Sequence, residues 1–109
     1  MMSVEVLRIS GSGDGAVCRV TGEIDVGSAA ELQDKALRAY SRFGTPLILD
    51  LSEVRFMDCA GLNALLRIRA RMFAQDLSRN LRLLGLTRQV ARLFAVSGAA
   101  ALFEISPLK

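Results

Sequence analysis

Leu47 to Leu66 reads LILDLSEVRFMDCAGLNALL, and this stretch decides the fold. Leu47, Ile48, Leu49 and Leu51 form a nearly continuous apolar run, the pattern of a short strand buried on both faces by helices. An acidic turn then leads to Asp58-Cys59-Ala60-Gly61-Leu62, where a helix opens. The first N–H groups of a helix lack internal partners and that end carries partial positive charge, so it suits a capping carboxylate or a bound phosphate. Asp58 fits the capping role, worth about 1 kcal/mol. Strand, turn and helix together form a device that presents Asp58 and Cys59.

Working outward, Val4, Val6, Leu7 and Ile9 suggest a first strand and Ala16 to Thr21 a second. Ser10 to Gly15 between them reads as a hairpin turn, since glycine and Asp-Gly supply the positive φ that tight hairpins need. No lysine or helix start follows those glycines, so they do not make a phosphate loop. Ser28-Ala29-Ala30-Glu31 fits a capping box. The helix it opens carries Leu32, Ala36, Leu37, Tyr40 and Phe43 at helical spacing and stops at Gly44-Thr45-Pro46. The second helix, about Cys59 to Ala74, turns Leu62, Leu65, Leu66 and Phe73 to one face. After a polar bend at residues 75–80 come a strand at Leu81 to Leu84 and a helix with Thr87 as N-cap. That helix faces Val90, Leu93, Phe94 and Ser97 inward and stops at Gly98. One further turn and a strand at Phe103 to Ile105 complete the chain, with Pro107 ending the strand. The order ββαβαβα(β) predicts an α/β fold, a mostly parallel or mixed sheet of four to five strands with helices packed on it.

A chain of 109 residues, half of them apolar, supports one domain with one core. Cys18 and Cys59 fit no metal spacing, histidine is absent, and two cysteines are too few for a disulfide scaffold, so a reduced cytoplasmic setting is expected. The N-terminal MMSVEVLRIS lacks the pattern of a signal peptide, and the longest uncharged run, Leu93 to Phe103, is too short to span a bilayer. Residues 1–54 hold five basic and eight acidic side chains, whereas residues 55–109 hold nine and three. The basic half has Arg67 and Arg71 on one helical face and Arg69 on nearly the opposite one, with no aromatic series for stacking on bases. A solvated helix face, or one touching an acidic protein surface, fits better than a nucleic-acid site.

The order of apolar strand, Phe56-Met57-Asp58, small residues and Gly61-Leu62 opening a helix resembles the signature of STAS domains, best known as anti-sigma factor antagonists. Three further blocks match in order: VTGEIDVGSAAEL at Val20 to Leu32, LRLLGL at Leu81 to Leu86, and VARLFAVSGAAALFEI at Val90 to Ile105. The resemblance covers residues 1–109 as a single STAS domain. It implies a protein that binds an anti-sigma factor of the GHKL-type serine kinase class and releases a sigma factor by partner switching. It further implies a partner surface made of Asp25, Asp58, Cys59, Ala60, Gly61 and Asn63, with no cofactor, no metal, no direct nucleic acid and no membrane, in a monomer or weak homodimer.

In that family the residue after the Asp is usually a Ser or Thr that the kinase phosphorylates. Here it is Cys59, and Ala60 offers no substitute hydroxyl. A phosphate would add a charge of about −1.5 to −2 to the partner-facing helix end, so without it the protein stays in its binding-competent form. Cys59 is open to three other readings: a small residue that merely fits, a redox-sensitive thiol at a helix start, a role the Asp58 charge opposes, or a site of some other modification. Asp25 is a loop-capping residue by type, Ser52 reads as a turn residue, and Cys18 reads as core. No catalytic set is visible: histidine is missing, and no substrate pocket is marked beside Asp25 and Asp58. Two alternatives remain beside the antagonist: a structural STAS subunit of a transport or stress-scaffold complex, and a small-ligand sensor.

Overall fold

The computed structural model describes residues 1–8, 15–76 and 81–108. β1 (Ser3–Arg8) and β2 (Ala16–Ile24) pair antiparallel, with Val4 opposite Val20 and Val6 opposite Cys18. The expected hairpin turn falls mainly on residues 9–14, outside the described residues. Then follow α1 (Ala29–Phe43), β3 (Leu47–Met57), α2 (Cys59–Gln75), β4 (Leu81–Leu84), α3 (Arg88–Ser97), a 3₁₀ turn (Ala99–Leu102) and β5 (Glu104–Ser106). The mixed α/β order anticipated from sequence is therefore present, and five strands lie side by side in chain order. β2 to β5 are mutually parallel.

Strand order and helix placement are linked. Right-handed crossovers that always step in one direction put every connecting helix on the same face of the sheet. Burial agrees: Ala16, Cys18, Val20, Gly22 and Ile24 of β2 are buried, whereas Arg19 between them is exposed. In β3, Leu47, Leu49 and Leu51 are fully buried, but Ile48 and Ser52 are only half-buried. The apolar run thus does not mark a strand covered on both faces. Its second face is open and carries the ion pairs Arg19–Glu5 at 3.5 Å and Arg82–Glu104 at 3.4 Å.

The acidic turn expected after Leu51 is also not a turn. β3 continues for 11 residues to Met57, and β2 extends to Ile24 beside it. Irregular register near Arg19/Thr21 and Gly22/Glu23 gives β3 two more residues than β2 over the paired stretch, as β-bulges do. Beside the first, the Ser52 N–H and hydroxyl both donate to the Asp50 carboxylate, at 3.0 and 2.6 Å. Asp50, 8% exposed, is the one buried charged residue among those described, and these bonds satisfy it. Ser52 is accordingly a strand residue rather than a turn residue.

Both expected hydroxyl caps occupy N-cap positions without capping. Ser28 instead accepts from the Asp25 N–H at 3.0 Å and donates to the Glu23 carbonyl at 3.1 Å, while Glu31 pairs with Lys35 at 3.0 Å. No capping box forms, because the Asp25 carbonyl already closes the entry turn by accepting from Ser28 and Ala29 N–H. Thr87 donates to the Val54 carbonyl at 2.8 Å.

The core lies between the sheet and the three helices. α1 contributes Leu32, Ala36, Ala39 and Tyr40, and α3 contributes Val90 and Phe94, whose ring meets Phe103 at 5.5 Å. On α2 the buried stripe is Gly61, Leu62, Ala64, Leu65, Ile68 and Met72. Leu66 and Phe73, expected in that stripe, are only half-buried, since the inward face follows the i, i+3, i+4, i+7 positions from Gly61. Ser97 is exposed rather than inward, at the last turn of α3 before Gly98 reverses the chain at φ 78°.

Candidate functional site

The site is built where the C-terminal ends of β2 and β3 meet the starts of α1 and α2. Asp58 follows β3 in extended conformation, and its N–H donates to the Ile24 carbonyl at 3.2 Å. Its carboxylate accepts from the N–H groups of Ala60 and Gly61 at 2.9 and 3.2 Å. The sequence-level reading of Asp58 as a cap is therefore present in detail, and the carboxylate complements the positive helix end. Cys59, the first residue of α2, is exposed beside it.

Gly61 explains how closely α2 approaches β2. A β-carbon there would lie 2.7 Å from the Met57 side chain, 2.8 Å from Ile24 Cγ2 and 2.9 Å from the Ile24 carbonyl oxygen. Such distances leave no room for a methyl group. Gly61 is buried and sets the spacing beneath the site, whereas Asn63 is exposed and Ala60 half-buried.

Ile24 connects directly to the Asp25 loop, so the same approach brings that loop to the α2 start. The Asp25 carboxylate accepts from the Gly27 N–H at 2.9 Å, an Asx turn that fixes the loop, and lies 3.3 Å from the Ser28 hydroxyl. Val26, 84% exposed, stands at its tip. A groove of about 260 Å³ runs between the two helix starts, lined by Val26, Ala30, Gln33, Ala60, Asn63 and Arg67. It continues along α1 and α2 into a wider depression of about 520 Å³ rimmed by Asp34, Arg38, Arg67 and Arg71. Arg69, expected on another face than Arg67 and Arg71, does not line this depression and stacks on Phe73 at 4.3 Å.

Two residues escaped the sequence reading. The Gln89 side chain accepts from the Met57 N–H at 2.9 Å and donates to the Met57 carbonyl at 3.0 Å, tying α3 to the residue before Asp58. Phe56, one residue earlier and quoted above only as part of the motif, is 43% exposed. A glutamine on a first helical turn carries no signal in the sequence, and a phenylalanine in a strand reads as core.

Among the described residues no group of three His, Cys, Asp or Glu side chains is placed to hold a metal ion, and no helix is long and apolar enough to cross a membrane. Cys18 is fully buried, and burial pushes its thiol pKa up to about 11. What the arrangement offers is an open surface of mixed apolar and polar groups at the two helix starts.

The family model described as "Mlab, STAS domain" matches residues 7–104. The chain belongs to the STAS-domain family. No curated protein sequence matches it. Among solved structures, this STAS domain is similar to an anti-sigma factor antagonist from Mycobacterium paratuberculosis, with 21% identity and a TM-score of 0.81 over 96% of this chain and 85% of that one. It is similar to the anti-sigma factor antagonist SpoIIAA in its unphosphorylated form, with 20% identity and a TM-score of 0.72 over 95% and 88% of the two chains. The Bacillus cell fate determinant SpoIIAA in its phosphorylated form gives 19% identity and a TM-score of 0.69 over 95% and 91%. At these identities the likeness is one of fold.

Proposed function

We propose that this STAS domain is an anti-sigma factor antagonist that binds an anti-sigma factor of the GHKL-type serine kinase class and releases a sigma factor by partner switching. The observation that carries this reading is the meeting of the Asp25 loop and the Asp58-Cys59 helix start around one groove, with Val26 exposed at its rim. Val26, held out into solvent by an ordered turn, has no role in the core and adds apolar surface to the rim of that groove. Asp25, Asp58, Cys59, Ala60 and Asn63 form the contact surface, and Gly61 supports it from beneath. The solved relatives that carry the antagonist name share the fold, which supports the same role here.

Cys59 sets the mode of regulation. One relative is a phosphorylated protein, but a thiol is not the ordinary substrate of a serine kinase, so this chain stays in its binding form. Control then lies in the abundance of partners, in a single cytoplasmic STAS domain spanning residues 1–109, monomeric or weakly dimeric. The role is one of binding, not catalysis.

The second reading is a constitutively bound STAS subunit of a transport or stress-scaffold complex. Cys59 favours it, since such a subunit needs no switch, and the matching family model is described by Mlab rather than by an antagonist. Gene neighbourhood separates the two: an adjacent anti-sigma kinase or sigma factor supports the first, an ABC-transporter operon the second. The direct test is Cys59→Asp, which places a second carboxylate beside Asp58. Titration calorimetry with the adjacent anti-sigma factor should show affinity reduced by more than tenfold, about 1.4 kcal/mol, with the fold intact by circular dichroism. Unchanged affinity of the folded variant rejects this surface.

A further inference from the structure

We propose that Gln89 is a positioning residue for the Asp58-Cys59 surface, acting as a side-chain substitute for a missing length of strand. The inference rests on the reading of that surface as the partner site. β4 is only four residues long and pairs with β3 from Leu47 to Asp50, so among the described residues the outer part of β3 up to Met57 has no strand on that side. Successive residues of a strand direct their backbone groups to alternate edges. The Asp58 N–H faces β2, where it donates to the Ile24 carbonyl. The Met57 N–H and carbonyl consequently face the edge that β4 does not reach.

The Gln89 carboxamide takes both groups. It accepts from the Met57 N–H at 2.9 Å and donates to the Met57 carbonyl at 3.0 Å. A side-chain amide carries the same donor and acceptor as a peptide group and can copy a ladder partner, which few other side chains can do. The Thr87 hydroxyl adds a third bond, to the Val54 carbonyl at 2.8 Å. These three bonds explain why both hydroxyl and amide at the α3 start face β3 instead of capping their own helix. The anchor is firm, because Val90 and Phe94 on the same helix are buried in the core.

Met57 is bonded covalently to Asp58, whose carboxylate in turn holds the Ala60 and Gly61 N–H groups. Freedom at Met57 passes directly into the cap and the first turn of α2. Gln89 thereby sets the position of a surface it does not itself form.

Amide hydrogen exchange on the free protein tests the clamp with no partner present, so its failure is separable from failure of the partner assignment, which the Cys59→Asp titration addresses. Gln89→Met keeps the length but removes both bonds. It should raise exchange at Met57 at least tenfold, with a parallel rise at Ala60 and Gly61, while Leu49 and Leu83 in the sheet interior stay within twofold of the parent. Gln89→Glu retains an acceptor and loses the donor at neutral pH, so Met57 should stay more protected than in Gln89→Met. Exchange at Met57 unchanged in Gln89→Met overturns the clamp. A rise at Met57 that leaves Ala60 and Gly61 unmoved, or an equal rise at Leu49, overturns the positioning role. Equal exchange in the Met and Glu variants overturns the assignment of the bond to the carboxamide.

Discussion

Gly61 on α2 lies so close to Ile24 at the end of β2 that an added β-carbon would stand 2.9 Å from the Ile24 carbonyl oxygen. That same oxygen accepts the Asp58 N–H. One carbonyl thus fixes both the entry to α2 and the distance between α2 and the Asp25 loop, and the groove between the helix starts depends on that distance.

Gly61→Ala should therefore cost stability even though alanine favours helices. The methyl group meets backbone at Ile24, which cannot yield as a flexible side chain does. Overpacking of this kind costs roughly 1–3 kcal/mol, against a gain in helix propensity of up to about 1 kcal/mol. Urea denaturation should show a lower midpoint. An unchanged or raised midpoint means that α2 moves away from Ile24 without strain.

Asp58→Ala removes the acceptor of the Ala60 and Gly61 N–H groups and should destabilise the fold by about 1 kcal/mol, within the range of N-cap losses. Asp58→Asn keeps an acceptor oxygen and should lose only part of this. Chemical denaturation of the three proteins at pH 7 gives the ranking. Equal loss in both variants points to the charge rather than the hydrogen bonds as the stabilising element.

The sequence carried some of these elements openly and concealed others. LILDL at Leu47 to Leu51 is legible because a buried strand needs apolar side chains, and Asp58 is legible because a carboxylate ahead of a helix has few other uses. Ser52-Glu53 hides the continuation of β3: at a bulge on a one-sided sheet, polar residues face solvent, and they look like a turn. The same one-sidedness defeats the inference from Ile48 that both faces are covered, since a half-buried isoleucine and a core isoleucine are identical in sequence. Ser28 and Thr87 show that a hydroxyl at an N-cap position can be recruited by a neighbouring strand. Gln89 was invisible for the same reason: its partner, the Met57 backbone, lies 32 positions away.

Phosphorylation distinguishes a permanently competent antagonist from a switched one. Incubated with a cognate serine kinase and ATP, the native protein should acquire no phosphate at Cys59, whereas Cys59→Ser restores a hydroxyl on the exposed first residue of α2. Mass spectrometry locates any phosphate. Stoichiometric phosphate at Ser52 in the native protein overturns the unswitched reading; the structure argues against that site, because the Ser52 hydroxyl is bonded to Asp50 at 2.6 Å.

The two cysteines should part cleanly under alkylation. Cys59 is exposed and Cys18 is fully buried between strands, so iodoacetamide at pH 8 should label Cys59 alone in the folded protein and both in urea. Burial also gives Cys18 an alkaline signature. The unfolded chain releases its thiol proton near 9.0 and the folded chain only near 11, so between these values the unfolded state binds fewer protons and stability falls as pH rises. The contribution is intact below about pH 9 and is lost as the pH approaches 11. Cys18→Ala removes this component, and the stability of the variant should decline less steeply than that of the parent between pH 9 and 11. Parallel declines, or labelling of Cys18 in the folded protein at the rate of Cys59, contradict the placement of Cys18 in the closed core.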